Sequence, residues 1–354
     1  MGFGFSTTVF GEIVFNTGMV GYTEALTDPS YNGQILTLTY PLVGNYGIPD
    51  LTEVDEDGIS KFFESDMMQI RGLVVHELSQ TASHWNLKMT LDEWMYNEKV
   101  PGISGIDTRV ITKKITSSGV MMAALVVSDE PIDVEKIKKE LTNVTKYNSE
   151  KFMDIVSTKE EKIYGDDNQS VVVIDTGAKN AIVRNIRELG YKAIVVPWNT
   201  PFDKVMSYNP KGVVLSSGPG DPQNCPETID TAKKLIENNI PTLGICLGAQ
   251  IIGIAGNTET YKLKYGHRGQ NKPCINLETN LVYVTSQNHG YGIKPESLEQ
   301  SDFKLWFSNA DDNTVEGIKH KTQNCIAVQF HPEAAPGPFD CKYVFDELKK
   351  LMEK

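Results

Sequence analysis

From Ser170 onward, short uninterrupted apolar runs alternate with stretches whose apolar residues recur every three to four positions. SVVVIDT (170–176) is β-branched throughout, and KNAIVRNIREL (179–189) after it has helical spacing that Gly190 ends as a left-handed C-cap. The alternation recurs in YKAIVV (191–196), KGVVLS (211–216) and IPTLGIC (240–246), with PETIDTAKKLIENN (226–239) helical before the last. Pro226 suits a first helical turn, where the missing N–H has no partner to lose. Apolar strands alternating with amphipathic helices predict a parallel sheet covered on both faces, with ligands at the carboxyl ends of its strands. LVYVTS (281–286), FKLWFS (303–308), TVEGIK (314–319) and CIAVQF (325–330) follow with short connections, so the later strands are expected to include antiparallel members. PFDCKYVFDELKKLME (338–353) closes the chain as an amphipathic helix.

The first half has a different texture. EIVFNT (12–17), QILTLTY (34–40), RGLVVHEL (71–78) and VMMAALVVS (120–128) read as strands, with helices near 91–97, 107–118 and 133–145. Between the halves the sequence is charged and poor in periodic apolar positions. The expected organisation is therefore a smaller α+β domain over 1–148, a linker over 149–169 and an α/β domain over 170–354.

Composition narrows the function classes. The chain has 354 residues, 40% hydrophobic and 23% charged, as in soluble globular proteins. Its net charge of −12 argues against nucleic acid or an anionic membrane as partner. Neither a basic leader nor an uncharged span of membrane length is present, so a cytoplasmic location is expected. Five cysteines, at 225, 246, 274, 325 and 341, form no CxxC pair and favour neither a disulfide framework nor zinc. No metal site is expected from the histidines at 76, 84, 267 and 320, and His289 is read as orienting its loop.

One of those cysteines sits in a telling place. Cys246 ends a strand and begins a helix within Gly244-Ile245-Cys246-Leu247-Gly248. Packing is the commoner role of an isolated cysteine. A sharp strand-to-helix elbow, however, crowds its neighbours, needs glycine on both sides, and lifts a nucleophile out where its sulfur is exposed. The helix N-terminus beneath offers unpaired N–H groups for a developing oxyanion.

A base is available after another strand. CIAVQFHPEAAPGP (325–338) places His331 and Glu333 around a stiff proline, where the ring can take a thiol proton and the carboxylate can fix its tautomer. The alternative is an ordinary surface turn. VLSSGPGDPQN (214–224) supplies Gly218 and Gly220, which let backbone approach a ligand closely or simply form a tight turn; the lysine of a nucleotide P-loop is missing.

GPGDP, GICLG and the final HPE together resemble the class I glutamine amidotransferases, over about residue 170 to the end. GEIVFNTGMVGYTEALTDPSYNGQILTLTYPLVGNYG (11–47), GIDTR (105–109) and SQNHGYGI (286–293) extend the resemblance to the carbamoyl-phosphate synthase small chains. It implies a mixed, largely parallel sheet flanked by helices in the second domain. It also implies Cys246 as nucleophile, His331 as base and Glu333 as orienting carboxylate, hydrolysing L-glutamine through a thioester. Ser30, Gly218, Gly220, Leu247, Gln250, Asn288, Gly290 and Tyr291 would hold the substrate, Leu247 through an oxyanion-hole amide. Ala249 departs from the histidine many relatives carry beside the elbow.

The resemblance further implies a separate large subunit that uses ATP, Mg and bicarbonate, no cofactor in this chain, and large-subunit contact through the first domain. Two other classes are weighed against it, a free-standing amide hydrolase and a non-catalytic glutamine-binding scaffold. Dependence of activity on a partner separates the first, and failure to form a thioester would favour the second.

Overall fold

The computed structural model describes residues 1–354. The chain forms two compact units, Met1–Asp55 with Ser60–Glu150, and Glu56–Ile59 with Lys151–Lys354.

In the first unit a six-stranded sheet runs in the order Gly2–Gly4, Pro101–Ile103, Gly72–Val74, Gln34–Leu38, Thr8–Asn16, Met121–Val126. Its four middle strands are mutually parallel and its two edges antiparallel. Gln34–Leu38 is buried at every position, and Leu36, Leu73, Trp94 and Tyr31 pack one face into a core. A capping box between Thr90 and Glu93 opens the helix Leu91–Asn97, whose Trp94 and Met95 enter that core. Val134–Asn143 buries no residue, in keeping with its charged sequence. The α+β expectation matches this unit, although Gly2–Gly4 and Pro101–Ile103 carry too little periodicity to be read in advance.

The second unit holds a ten-stranded sheet. Its order is Leu281–Ile293, Thr260–Asn276, Phe303–Asn309, Val315–His320, Cys325–Val328, Thr242–Ile245, Gly212–Leu215, Ser170–Asp175, Lys192–Pro197, Lys162–Tyr164. The five strands from Cys325–Val328 to Lys192–Pro197 are parallel and nearly all buried. Every remaining pairing is antiparallel. The sheet is thus mixed, as expected, with its parallel strands toward one side, where only Lys162–Tyr164 lies outside them. Val171, Val173, Val214, Leu243, Ile245 and Val328 meet Ile182, Ile186, Phe345 and Leu348 in one core.

Two segments differ from expectation. The interval 149–169, read as a connection, contributes the helix Met153–Val156 and the edge strand Lys162–Tyr164 to this unit. SQNHGYGI is not a loop: it lies on Leu281–Ile293, paired with the long strand Thr260–Asn276.

Candidate active site

The elbow is built as the glycines require. The fully buried strand Thr242–Ile245 ends at Cys246, whose φ of 54° and ψ of −103° are unusual for a residue with a side chain, and Leu247–Ala255 begins the next helix. A Cβ on Gly248 would stand 2.2 Å from the Leu215 carbonyl oxygen, and one on Gly244 would stand 2.7 Å from that of Gly248. Both neighbours are backbone and cannot yield. Leu247, first in its helix, has an N–H with no intrahelical acceptor.

The expectation of an exposed sulfur is corrected here: Cys246 is only 2% exposed. The elbow does lift it off its strand, but toward the hairpin strand Leu281–Ile293, and its Sγ donates to the Asn288 carbonyl at 3.7 Å. The other four cysteines are buried too. Burial pushes the thiols of Cys225, Cys274, Cys325 and Cys341 well up, as in inert packing positions.

His331 reaches Cys246 through strand pairing. Cys325–Val328 lies parallel to the elbow strand with Ile245 opposite Val328, and the Cys246 N–H donates to the Val328 carbonyl at 2.9 Å. Three residues later His331 is 3% exposed, its own N–H bound to the Ser286 carbonyl. The surface-turn reading of HPE therefore fails.

His331 Nδ1 lies 2.6 Å from Glu333 Oε1, while Nε2 is buried without a hydrogen-bond partner. Burial opposes charging this ring, but the Glu333 carboxylate and the Cys246 sulfur outweigh it and raise the imidazole well above its usual range. Burial likewise opposes the Glu333 charge, and His331 with Lys179 holds that carboxyl well below the usual range.

Lys179 escaped sequence reading. It is buried, with Nζ 3.2 Å from Glu333 Oε1 and 2.9 Å from the Ala334 carbonyl, so a third charge steadies the pair. Its only signal was position, just after the apolar strand that ends at Asp175.

The substrate candidates fall into two groups. Gly218, Gly220, Leu247, Gln250, Asn288, Gly290 and Tyr291 all belong to the second unit. A Cβ at Gly218 would meet the Thr176 carbonyl oxygen at 1.9 Å, and Gly220 adopts a φ of +93°. Gln250 is buried, not solvent-facing, and spends its amide hydrogens on the Tyr291 carbonyl at 2.9 Å and Gln329 Oε1 at 3.0 Å. Asn288 and Tyr291 are buried on the hairpin strand. Ser30 belongs to the first unit, on the turn Pro29–Tyr31 that Asp28 caps, with its hydroxyl buried and unpartnered.

The structure also gathers residues the sequence kept apart. His267, His289 and Glu316 are buried together, each with a potential ligand atom within 4.8 Å of the others.

Known family models match both halves of the chain. Residues 172–351 match the class-I glutamine amidotransferase family, and residues 1–125 match the carbamoyl-phosphate synthase small chain, CPSase domain. Proteins named carbamoyl phosphate synthase small chain are similar throughout. That of Pyrococcus furiosus is 45% identical, over 99% of this chain and 94% of the relative. Those of Methanopyrus kandleri and Methanocaldococcus jannaschii are each 44% identical, over 98% and 100% of this chain and 93% and 95% of the relative. The chain belongs to the carbamoyl-phosphate synthase small chain family. No helix in this family member is long and apolar enough to cross a membrane.

Proposed function

We propose that this chain hydrolyses L-glutamine and supplies the nitrogen for carbamoyl phosphate made by a separate, larger subunit. The observation that carries the reading is the buried constellation of Cys246 on a strained elbow, His331 with Nε2 unpartnered, and Glu333 bound to Nδ1. In this mechanism the Cys246 proton already rests on His331 Nε2, the sulfur attacks the amide carbon, and the oxyanion is met by the orphan N–H of Leu247. Collapse breaks the C–N bond as His331 returns the proton to the leaving nitrogen, giving ammonia and a thioester. Water, deprotonated by the same ring, then cleaves the thioester to glutamate and free thiol.

Glu333 and Lys179 keep the imidazole oriented through both steps. Gly218, Gly220, Gln250, Asn288, Gly290 and Tyr291 are the proposed surroundings of the substrate, offering backbone and amide groups to its ammonium and carboxylate. The partner is proposed to bring ATP, Mg and bicarbonate, and the first unit is the proposed surface for it. Protonated ammonia is no nucleophile, which favours handing NH₃ over without release to water. A cytoplasmic location fits this role.

Replacing Cys246 with alanine in the assembled enzyme tests the reading. Glutamine-dependent carbamoyl phosphate formation is expected to fall by about 10⁴-fold or more, while added ammonia still supports synthesis. Retained glutamine-dependent activity rejects the nucleophile, and fast turnover by the isolated chain with no stimulation by a partner rejects the subunit role.

A further inference from the structure

The hairpin strands Thr260–Asn276 and Leu281–Ile293 place His267 directly across from His289, and Arg268 across from Asn288. His267 Nε2 is 2.9 Å from Asp312 Oδ2, and Nδ1 is 3.4 Å from Glu316 Oε1. Glu316 has no exposure; Asn309 Nδ2 and Thr314 Oγ1 donate to its Oε1 at 3.1 and 3.2 Å, and Oε2 has no partner. A buried carboxylate so placed needs a cation or a proton beside it. The His267 ring packs edge-on against His289, with centroids 5.1 Å apart at 90°.

His289 passes this arrangement on. Its Nδ1 lies 2.7 Å from the Tyr291 carbonyl, so that nitrogen carries the hydrogen and the ring is fixed as one tautomer. The Tyr291 carbonyl also accepts from Gln250, and the Asn288 carbonyl accepts from Cys246. The segment 288–291 is thereby tied at two points to the elbow and its helix.

We propose that His267, clamped between Asp312 and Glu316, is a positioning residue for glutamine: through the His289 ring it sets the backbone of residues 288–291 and so governs affinity more than turnover. This deepens the glutaminase reading and rests on it.

Burial disfavours a charged His267, but Glu316 and Asp312 outweigh it and raise the ring above its usual value. The other groups around the cluster are His289, kept neutral by burial and by the nearby charges of His267, Arg268 and His331, and Tyr261, whose hydroxyl burial and the acidic groups push up. The two carboxylates thus favour the charged form of the ring they flank. A metal held by His267, His289 and Glu316 is the rival occupant. Zinc bonds of about 2.0–2.2 Å bring ligand atoms to roughly 3.4 Å, the spacing of His267 Nδ1 and Glu316 Oε1, whereas Nε2 is hydrogen-bonded at 2.9 Å to Asp312, which lies outside that trio, so the metal content of the protein separates the two occupants.

The test uses Glu316→Gln, Asp312→Asn and His267→Gln in the assembled enzyme, the first near-isosteric and the second at a half-exposed side chain so that folding survives. The glutamine KM is expected to rise about tenfold or more, with kcat changed less than threefold and ammonia-dependent synthesis unchanged. An unchanged KM, or kcat falling in step with kcat/KM, overturns the inference alone. One zinc per chain by elemental analysis, lost in Glu316→Gln, replaces the proton with a metal and also overturns it. If the unaltered enzyme shows no glutamine-dependent activity at all, the functional reading fails and takes this inference with it.

Discussion

His331, just beyond the strand Cys325–Val328, and His289, on the strand Leu281–Ile293, are both buried, yet their surroundings drive them to opposite charge states. Burial alone favours the neutral ring in both places. At His331 a carboxylate sits on Nδ1 and a sulfur acts on the ring, so the charged form wins. At His289 the hydrogen on Nδ1 goes to a backbone carbonyl, the neighbours are cationic, and the pKa falls well below the usual value. One environment favours a charged ring and the other a neutral one. The partner of Nδ1 decides which.

The largest test of that contrast is His331→Asn, which removes the mobile proton. Glutamine hydrolysis should fall by about 10³-fold or more, read as loss of glutamate release, with ammonia-dependent synthesis intact in the assembled enzyme. Glu333→Gln keeps the ring and takes away its carboxylate. A fall of roughly 10–100-fold in kcat/KM is expected, and the alkaline limb of the pH profile should move to lower pH, because the raised pKa of His331 depends on that charge. An unshifted limb would assign it to another group.

Elbow geometry gives a test of stability. Gly248→Ala places a methyl 2.2 Å from a backbone oxygen, and denaturant unfolding should show a loss of about 2–3 kcal/mol.

The two histidines also differ in the sign of their pH linkage. His331, with its folded value raised, contributes stability that is full below about pH 6.5 and is lost as pH rises through the folded value. His289, with its folded value depressed, contributes stability present above about pH 6.5 and lost as pH falls below it, by about 1 kcal/mol per unit. Comparing unfolding midpoints of the unaltered chain and His289→Gln from neutral to mildly acidic pH should show the acid limb shrinking in the variant. The smallest effect belongs to the exposed pair Asp230 and Lys234, 2.8 Å apart on one helix face. Lys234→Met should leave the unfolding midpoint unchanged, since water already screens that contact.

The same contrast marks the limits of the sequence. Cys246, His331 and Glu333 were legible because each stands beside glycine or proline at the end of an apolar strand, where the run of hydrophobic residues fixes both element and direction. The parallel strands were legible for that reason too. TYKLKYGHRGQNKPCIN (260–276) was not, since its residues are mostly polar and its pairing shifts register twice, erasing the period of two that betrays a half-buried strand. Missing that strand hid the His267 cluster, because Glu316 and Asp312 come from segments that only the folded sheet brings to it. The burial of Cys246 was hidden similarly: local glycine spacing describes the elbow, not the hairpin strand that reaches it.

The elbow strand Thr242–Ile245 is flanked in its sheet by Gly212–Leu215, made earlier, and Cys325–Val328, made much later. A chain still on the ribosome thus carries its sulfur for a long interval with neither ring nor carboxylate beside it. Under the proposed mechanism, glutamine hydrolysis therefore waits until His331, just beyond that late strand, has been made.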